Sequence, residues 1–217
     1  MRVIRRMGEI MREEGCTAVL ARALVRISRI IYHRERYLIF SRNVKDLEGT
    51  HGFAHLPVVS LSTPSEMETA PHDVIEAVAP VRKRLDRHLV QEGMLFCVIM
   101  NGIIAHQSWV ATRAFATVDR IAPHLMKYDR MAYIGRCETL PVCRGQGLYP
   151  HVLLTICGVL ATKGFAEAVL TVAPDNQSSI AGVKKAGFRE KGEGELITLL
   201  GKSYWRQVKE VHDNNKQ

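Results

Sequence analysis

Apolar positions recur at helical spacing near the start of the chain. Val19, Leu20, Ala23, Leu24, Ile27, Ile30 and Ile31 form one stripe, and Arg22, Arg26 and Arg29 lie on the other face. The pattern predicts helices over 2–14 and 17–33, split at Gly15. "RYLIFSRNV" (36–44) reads as a strand. Residues 49–72 carry Gly49, Gly52, Pro57, Pro64 and Pro71, which predicts irregular chain around one short strand, "LPVVSLS". Residues 73–92 read as one amphipathic helix. Next, "MLFCVIM", "NG" and "IIAHQSWVAT" predict a hairpin over 94–112, because Asn-Gly supplies the positive φ angles of a two-residue turn. Residues 113–130 read as a loop with a short helix. "MAYIGRCETLPV" is a strand, 150–163 a helix stopping at Gly164, and "FAEAVLTVAP" (165–174) a strand ending at proline. "NQSSIAGVKKAGF" opens on an N-cap asparagine and stops at Gly187. Two strands in "ITLLGKSYWRQV" close the pattern, and the residues from Lys209 are polar. This order predicts a mixed α/β sheet, not an alternating parallel one.

Composition narrows this picture. The 217 residues are 47% apolar and 24% charged, and no apolar stretch is long enough to span a bilayer. Five cysteines (Cys16, Cys97, Cys137, Cys143, Cys157) are scattered without a CxxC pair, so no disulfide framework or zinc knuckle is expected and a cytoplasmic location is. Of the net charge of +8, +5 falls within residues 1–36, which hold nine arginines and four glutamates. That segment suits packing on the domain or contact with an anionic membrane surface. No reader motif accompanies the charge, so nucleic acid is not an expected partner. Exposed strand edges are compatible with a homodimer.

The chemistry concentrates at "RGQGLY" (144–149), between a strand and a helix. Unpaired N–H groups at a helix start, together with the helix dipole, form an anion site. Gly145 and Gly147 permit close backbone approach, and Arg144 adds a cation. The spacing is not that of a nucleoside-triphosphate loop, and Pro150 replaces the third glycine of a dinucleotide fingerprint. The alternative for these six residues is a plain tight turn.

The second stretch changes the balance. "PVCRGQGLYPHVLL" together with "N..SI..V.KAGF" resembles the GNAT superfamily of acyl-CoA-dependent N-acyltransferases. Arg144 and Gly147 match the first family motif, but Tyr149 stands where a small residue is usual. Asn176, Ser179, Ile180, Lys185, Gly187 and Phe188 match the second. The resemblance is tight over roughly 132–190 and looser from residue 36. It implies a mostly antiparallel, twisted sheet flanked by helices. The expected division is a basic helical segment (1–35), a GNAT-type domain (36–208) and a polar tail (209–217).

The resemblance also implies a reaction: a primary amine attacks the thioester of acetyl-CoA or another acyl-CoA. The loop residues Arg144, Gly145, Gln146, Gly147, Leu148 and Tyr149 would hold the pyrophosphate. Cys137, Thr139 and Leu140 would line the pantetheine arm, with Asn176 and Ser179 nearby. A backbone N–H within 137–140 would serve the oxyanion. Many relatives carry an acidic tyrosine seven residues after the asparagine, where this chain has Val183. Tyr149, Tyr133 and Tyr204 are the candidate substitutes, Tyr149 being taken as the site residue; the alternative is that the thiolate leaves unprotonated. Glu138 and His106 are the candidate bases. The expected acceptor is a small-molecule amine, an amino sugar on a nucleotide carrier being one form. Coenzyme A binding without catalysis, and long-chain acyl transfer at a membrane, are the competing readings.

Other residues point to structure. His51 and His55 flank Gly52 without a third ligand, so no metal is expected. Cys143 reads as packing, and Trp109, Tyr204 and Trp205 as core or edge aromatics.

Overall fold

The computed structural model describes residues 32–46, 56–112 and 120–210. The expected helix over 2–14, residues 17–31 of the helix expected over 17–33, His51, His55, part of the 113–130 loop and the last residues of the tail lie outside them. Eight strands form one sheet: β1 (Tyr32–Asn43), β2 (Val59–Leu61), β3 (Met94–Met100), β4 (Ile103–Ala111), β5 (Met131–Thr139), β6 (Glu167–Val172), β7 (Arg189–Leu199) and β8 (Lys202–Glu210). The described α-helices are α1 (Pro64–Glu68), α2 (His72–Val78), α3 (Arg82–Val90), α4 (Ala122–Leu125), α5 (Leu148–Thr162) and α6 (Gln177–Lys185). Strand order is β2-β3-β4-β5-β6-β1-β7-β8. Only β5 and β6 run parallel; every other pair is antiparallel. The fold is thus the expected mixed, mostly antiparallel sheet flanked by helices.

The differences from the sequence pattern have local causes. β1 starts at Tyr32, inside the stretch read as helix, because Tyr32–Tyr37 pair with β7. The helix expected over 73–92 is broken by Pro80 into α2, a 3₁₀ turn over Ala79–Val81 and α3, since proline lacks the N–H a continuous helix needs. α1 was not foreseen. Thr63 caps it by accepting from the Glu66 N–H, and the Glu66 carboxylate accepts from the Ser62 N–H. That Thr-x-x-Glu signal was present in the sequence. The β3–β4 hairpin turns as expected at Asn101 (φ 52°) and Gly102 (φ 73°).

Each face of the sheet has its own core. On one, Phe40, Phe96, Ile134 and Leu170 pack against Val152, Leu153 and Ile156 of α5 and Val183 of α6. On the other, Ile39, Leu95, Trp109, Tyr133 and Leu196 pack under Met67, Val74, Leu85 and Leu89 of α1–α3. Arg42 on β1 secures α6 by donating to the carbonyls of Ala186 and Asp46.

At the far side of the sheet, Glu195 of β7 accepts from Arg34 and Arg206 and is 1% exposed. The Arg34 hydrogen bond, then that of Arg206, holds its carboxyl below the ordinary range. A carboxyl with a depressed folded pKa stabilises above its unfolded pKa and stops doing so as pH falls through the folded value. Glu195→Gln is therefore expected to lower the melting temperature near pH 7 and to converge on the parent in acid. Melting curves from pH 7 down to about pH 3 check this.

Candidate active site

β5 and β6 pair only over Met131–Ile134 against Glu167–Leu170. Beyond Ile134 the two strands part: β5 follows β4 and β6 follows β1. The divergence opens a slot of about 200 Å³ through the sheet. Cys137, Tyr149, Asn176 and Ser179 line it on the α5–α6 side, and Tyr37 and Tyr133 on the other.

A bulge decides which β5 side chains reach the slot. Gln107 pairs with Glu138 and Trp109 with Gly135, so Arg136 and Cys137 together stand opposite Ser108. Arg136 has φ 48°, a left-handed conformation that absorbs the extra residue. Without it, alternation would place Cys137 beside Tyr133. With it, Cys137 joins the α5–α6 face, Thr139 follows, and Glu138 turns to the α1–α3 face.

The anion loop follows directly. Pro141–Cys143 form a 3₁₀ turn, Gly145 (φ 79°) and Gly147 (φ 74°) take left-handed conformations, and α5 starts at Leu148. A Cβ on Gly145 would meet no atom within 4 Å, so this side of the loop is open. The N–H groups of Gly145, Gln146, Gly147, Leu148 and Tyr149 make no hydrogen bond among the described residues. Arg144 is exposed and ties back through Nε to the Thr139 carbonyl at 3.3 Å. Open donors, a helix N-terminus and a cation together suit a diphosphate. Of the expected loop residues, Leu148 contributes only its N–H: its side chain is 1% exposed in the core. Leu140 donates its N–H to Ala105 at 2.9 Å, so that donor is spent within the sheet.

Asn176 caps α6. Its Oδ1 accepts from the Ser179 N–H at 3.1 Å and the Ser178 hydroxyl at 3.0 Å, which leaves its amide NH₂ at the slot. Tyr149 reaches the slot from the other helix, and its hydroxyl meets the Cys137 thiol. Burial, then Cys137, raises the Tyr149 pKa well above the ordinary phenol value, so this hydroxyl keeps its proton at physiological pH. Burial likewise pushes the Cys137 thiol up to about 11, which makes it a poor nucleophile. Gly182 explains how α5 tolerates tyrosine at 149, for a Cβ there would lie 2.9 Å from the ring. Gly182→Leu is expected to destabilise by about 1–3 kcal/mol through overpacking, read as a lower urea midpoint.

The two base candidates separate. His106 is 1% exposed, with its ring nitrogens 2.7 Å from Thr139 Oγ1 and 2.9 Å from Ser108 Oγ. Burial lowers its pKa to about 4. His106 is thus a neutral imidazole held between the Thr139 and Ser108 hydroxyls. Glu138 is exposed on the α1–α3 face, where Gln107 donates to it at 3.1 Å. Val183, seven residues after Asn176, is fully buried. Tyr133 is also buried and bonds Thr171 through its hydroxyl at 3.0 Å, while Tyr204 is exposed on β8. Cys143 and Trp109 are core residues. Among the described residues no three His, Cys, Asp or Glu side chains converge on a metal position, and no helix is long and apolar enough to cross a membrane. A cavity of about 920 Å³ lies at the Met131 end of β5 beside Met94, Thr112 and Lys163, away from the loop.

No family model and no curated protein matches the chain. Solved structures do. A protein assigned to the GNAT acetyltransferases from Novosphingobium aromaticivorans is 16% identical with a TM-score of 0.49, over 81% of this chain and 66% of that one. A GNAT-family acetyltransferase from Colwellia psychrerythraea is 14% identical, TM-score 0.49, over 83% and 57%. An aminoglycoside N-acetyltransferase in complex with CoA is 14% identical, TM-score 0.45, over 62% and 92%. The chain spans 66% and 57% of the length of the first two.

Proposed function

We propose that this protein is a GNAT-type N-acyltransferase that moves an acetyl or other acyl group from coenzyme A to a primary amine of a small molecule. The observation that carries the reading is the continuity of an open anion loop at the α5 N-terminus with a slot between parting parallel strands. A long, flexible thioester with a diphosphate at one end fits that combination. A plain turn would need neither the open N–H groups nor the slot.

Acyl-CoA supplies an activated thioester carbonyl. The chain's own residues do the rest. Arg144 and the N–H groups of Gly145 to Tyr149 bind the diphosphate, and Cys137, Thr139 and Asn176 line the arm. The Cys137 N–H sits at the bulge, where the β4–β5 register shifts, and is the donor we assign to the oxyanion. Tyr149 holds a proton on its hydroxyl at the slot, available to a departing thiolate. Glu138 lies across the strand on the α1–α3 face, where its carboxylate can take a proton from an incoming ammonium, directly or through water. Attack from that face and binding of the arm on the other are compatible because the slot between the parting strands is lined from both faces, by Tyr37 and Tyr133 on one and by Cys137 and Tyr149 on the other.

The test is thiol release from acetyl-CoA against a panel of primary amines, with Arg144→Glu as control. Acceptor-dependent release that is lost in the variant supports the reading. Tight coenzyme A binding with no release for any acceptor or acyl length favours a non-catalytic binding protein, and absence of coenzyme A binding overturns the assignment.

A further inference from the structure

A second cavity lies across β5 from the slot, and no part of the mechanism above requires its shape. It is a groove of about 500 Å³ on the α1–α3 face, between the 3₁₀ turn after α2 and the ends of β4 and β5. Ala77, Pro80, Val81, Ile103, Ile104 and Leu140 make its walls. Among the described residues its charged lining is two carboxylates, Glu76 and Glu138, with no lysine or arginine. Gln107, also in the lining, donates to Glu138 and orients that carboxylate. Glu76 has one ionic neighbour, His72, at 3.8 Å on the exposed side of α2. Glu138 is one residue from Cys137, whose side chain faces the slot, so the groove begins one strand thickness from the reacting lane.

Resting on the transferase reading above, we infer that this groove is the acceptor site and that it takes a cationic primary amine with an apolar body, such as an arylalkylamine. The walls remove an apolar body of drug-like size from water. The carboxylates complement an ammonium group, and the Glu138 end brings that nitrogen to the strand carrying the thioester lane. The same lining disfavours a nucleotide-linked amino sugar. A diphosphate would meet two carboxylates with no cation among the described lining residues to offset them, and sugar hydroxyls would lose water against alkyl walls. The acceptor side is therefore acidic and apolar, and the coenzyme side is cationic and polar.

Binding of 2-phenylethylamine to the full chain, followed by ligand-observed NMR with and without coenzyme A, tests this separately from catalysis. The amine is expected to bind at least about tenfold more tightly than its neutral counterpart 2-phenylethanol, the size of a charge-assisted hydrogen bond. Glu138→Gln is expected to erase most of that difference. Ile103→Asn, at a half-exposed position on the hairpin, is expected to weaken both ligands several-fold without disturbing the core. Equal affinities for amine and alcohol, unchanged amine binding in both variants, or no amine binding in either condition would overturn the inference. So would thiol release with a nucleotide amino sugar but not with the arylalkylamine. Loss of coenzyme A binding alone would count against the transferase reading and not against the groove, because amine binding is read directly.

Discussion

Tyr149→Phe is expected to lower acceptor-dependent thiol release by about 10²-fold, the lower end of what a positioned acid contributes, while coenzyme A affinity stays within about threefold. The ring remains, so its packing on Gly182 is preserved and only the hydroxyl beside Cys137 is lost. Val183, seven residues after Asn176 where the sequence resemblance would place this acid, is fully buried and apolar and cannot substitute. The pH dependence carries a sign. Tyr149 has a raised pKa, so its proton-bearing form persists through neutral and moderately alkaline pH, and activity should show no loss from this group below about pH 10. In Tyr149→Phe, thiolate departure is unassisted, and leaving groups of lower pKa should regain part of the rate. Steady-state kinetics with acetyl-CoA and with a thioester of a more acidic thiol measure both effects. An unchanged rate in the variant would remove Tyr149 from the mechanism.

The second large effect is on binding. Gly147→Val should weaken coenzyme A by at least about 10²-fold. Gly147 has φ 74°, where a β-branched residue is strained, and it is the N-cap residue of α5 within the anion loop. Relief of that strain tilts the first turn of α5 and misdirects the N–H groups of Gly145 to Tyr149. Gly201→Val provides the control. It has φ 78° in the β7–β8 turn with open space at its Cβ, and carries similar backbone strain far from the loop. Both variants should lose stability of about 1–2 kcal/mol, but only Gly147→Val should lose coenzyme A in calorimetric titration. Equal affinities in the two would detach the loop from binding.

Much of the fold was legible because the signals were local. Asn101-Gly102 set a hairpin through the φ angles that those residues tolerate. Asn176 announced α6, and Gly187 ended it at φ 74°. The anion loop was legible for the same reason: left-handed glycines before a helix are a property of a few adjacent residues. Pro80 was visible too, but a periodic apolar pattern on both sides concealed the break between α2 and α3.

What was hidden depended on pairing between distant segments. Nothing in "YIGRCET" marks Arg136 as a bulge. Its left-handed backbone exists because β4 and β5 are held in two registers, and that alone sends Cys137 and Glu138 to opposite faces. The neutral state of His106 likewise follows from its burial within the folded sheet, which residues distant in sequence complete. The sequence by itself determined the elements, the anion loop and the candidate residue types, because propensity, capping and turn chemistry act over a few residues. Tertiary structure alone decided which residue faces which chemistry: the slot, the face that Glu138 occupies, the position of Tyr149 against Gly182 and the apolar acidic groove. Those depend on strand register and helix packing, which bring together side chains that the chain order keeps far apart.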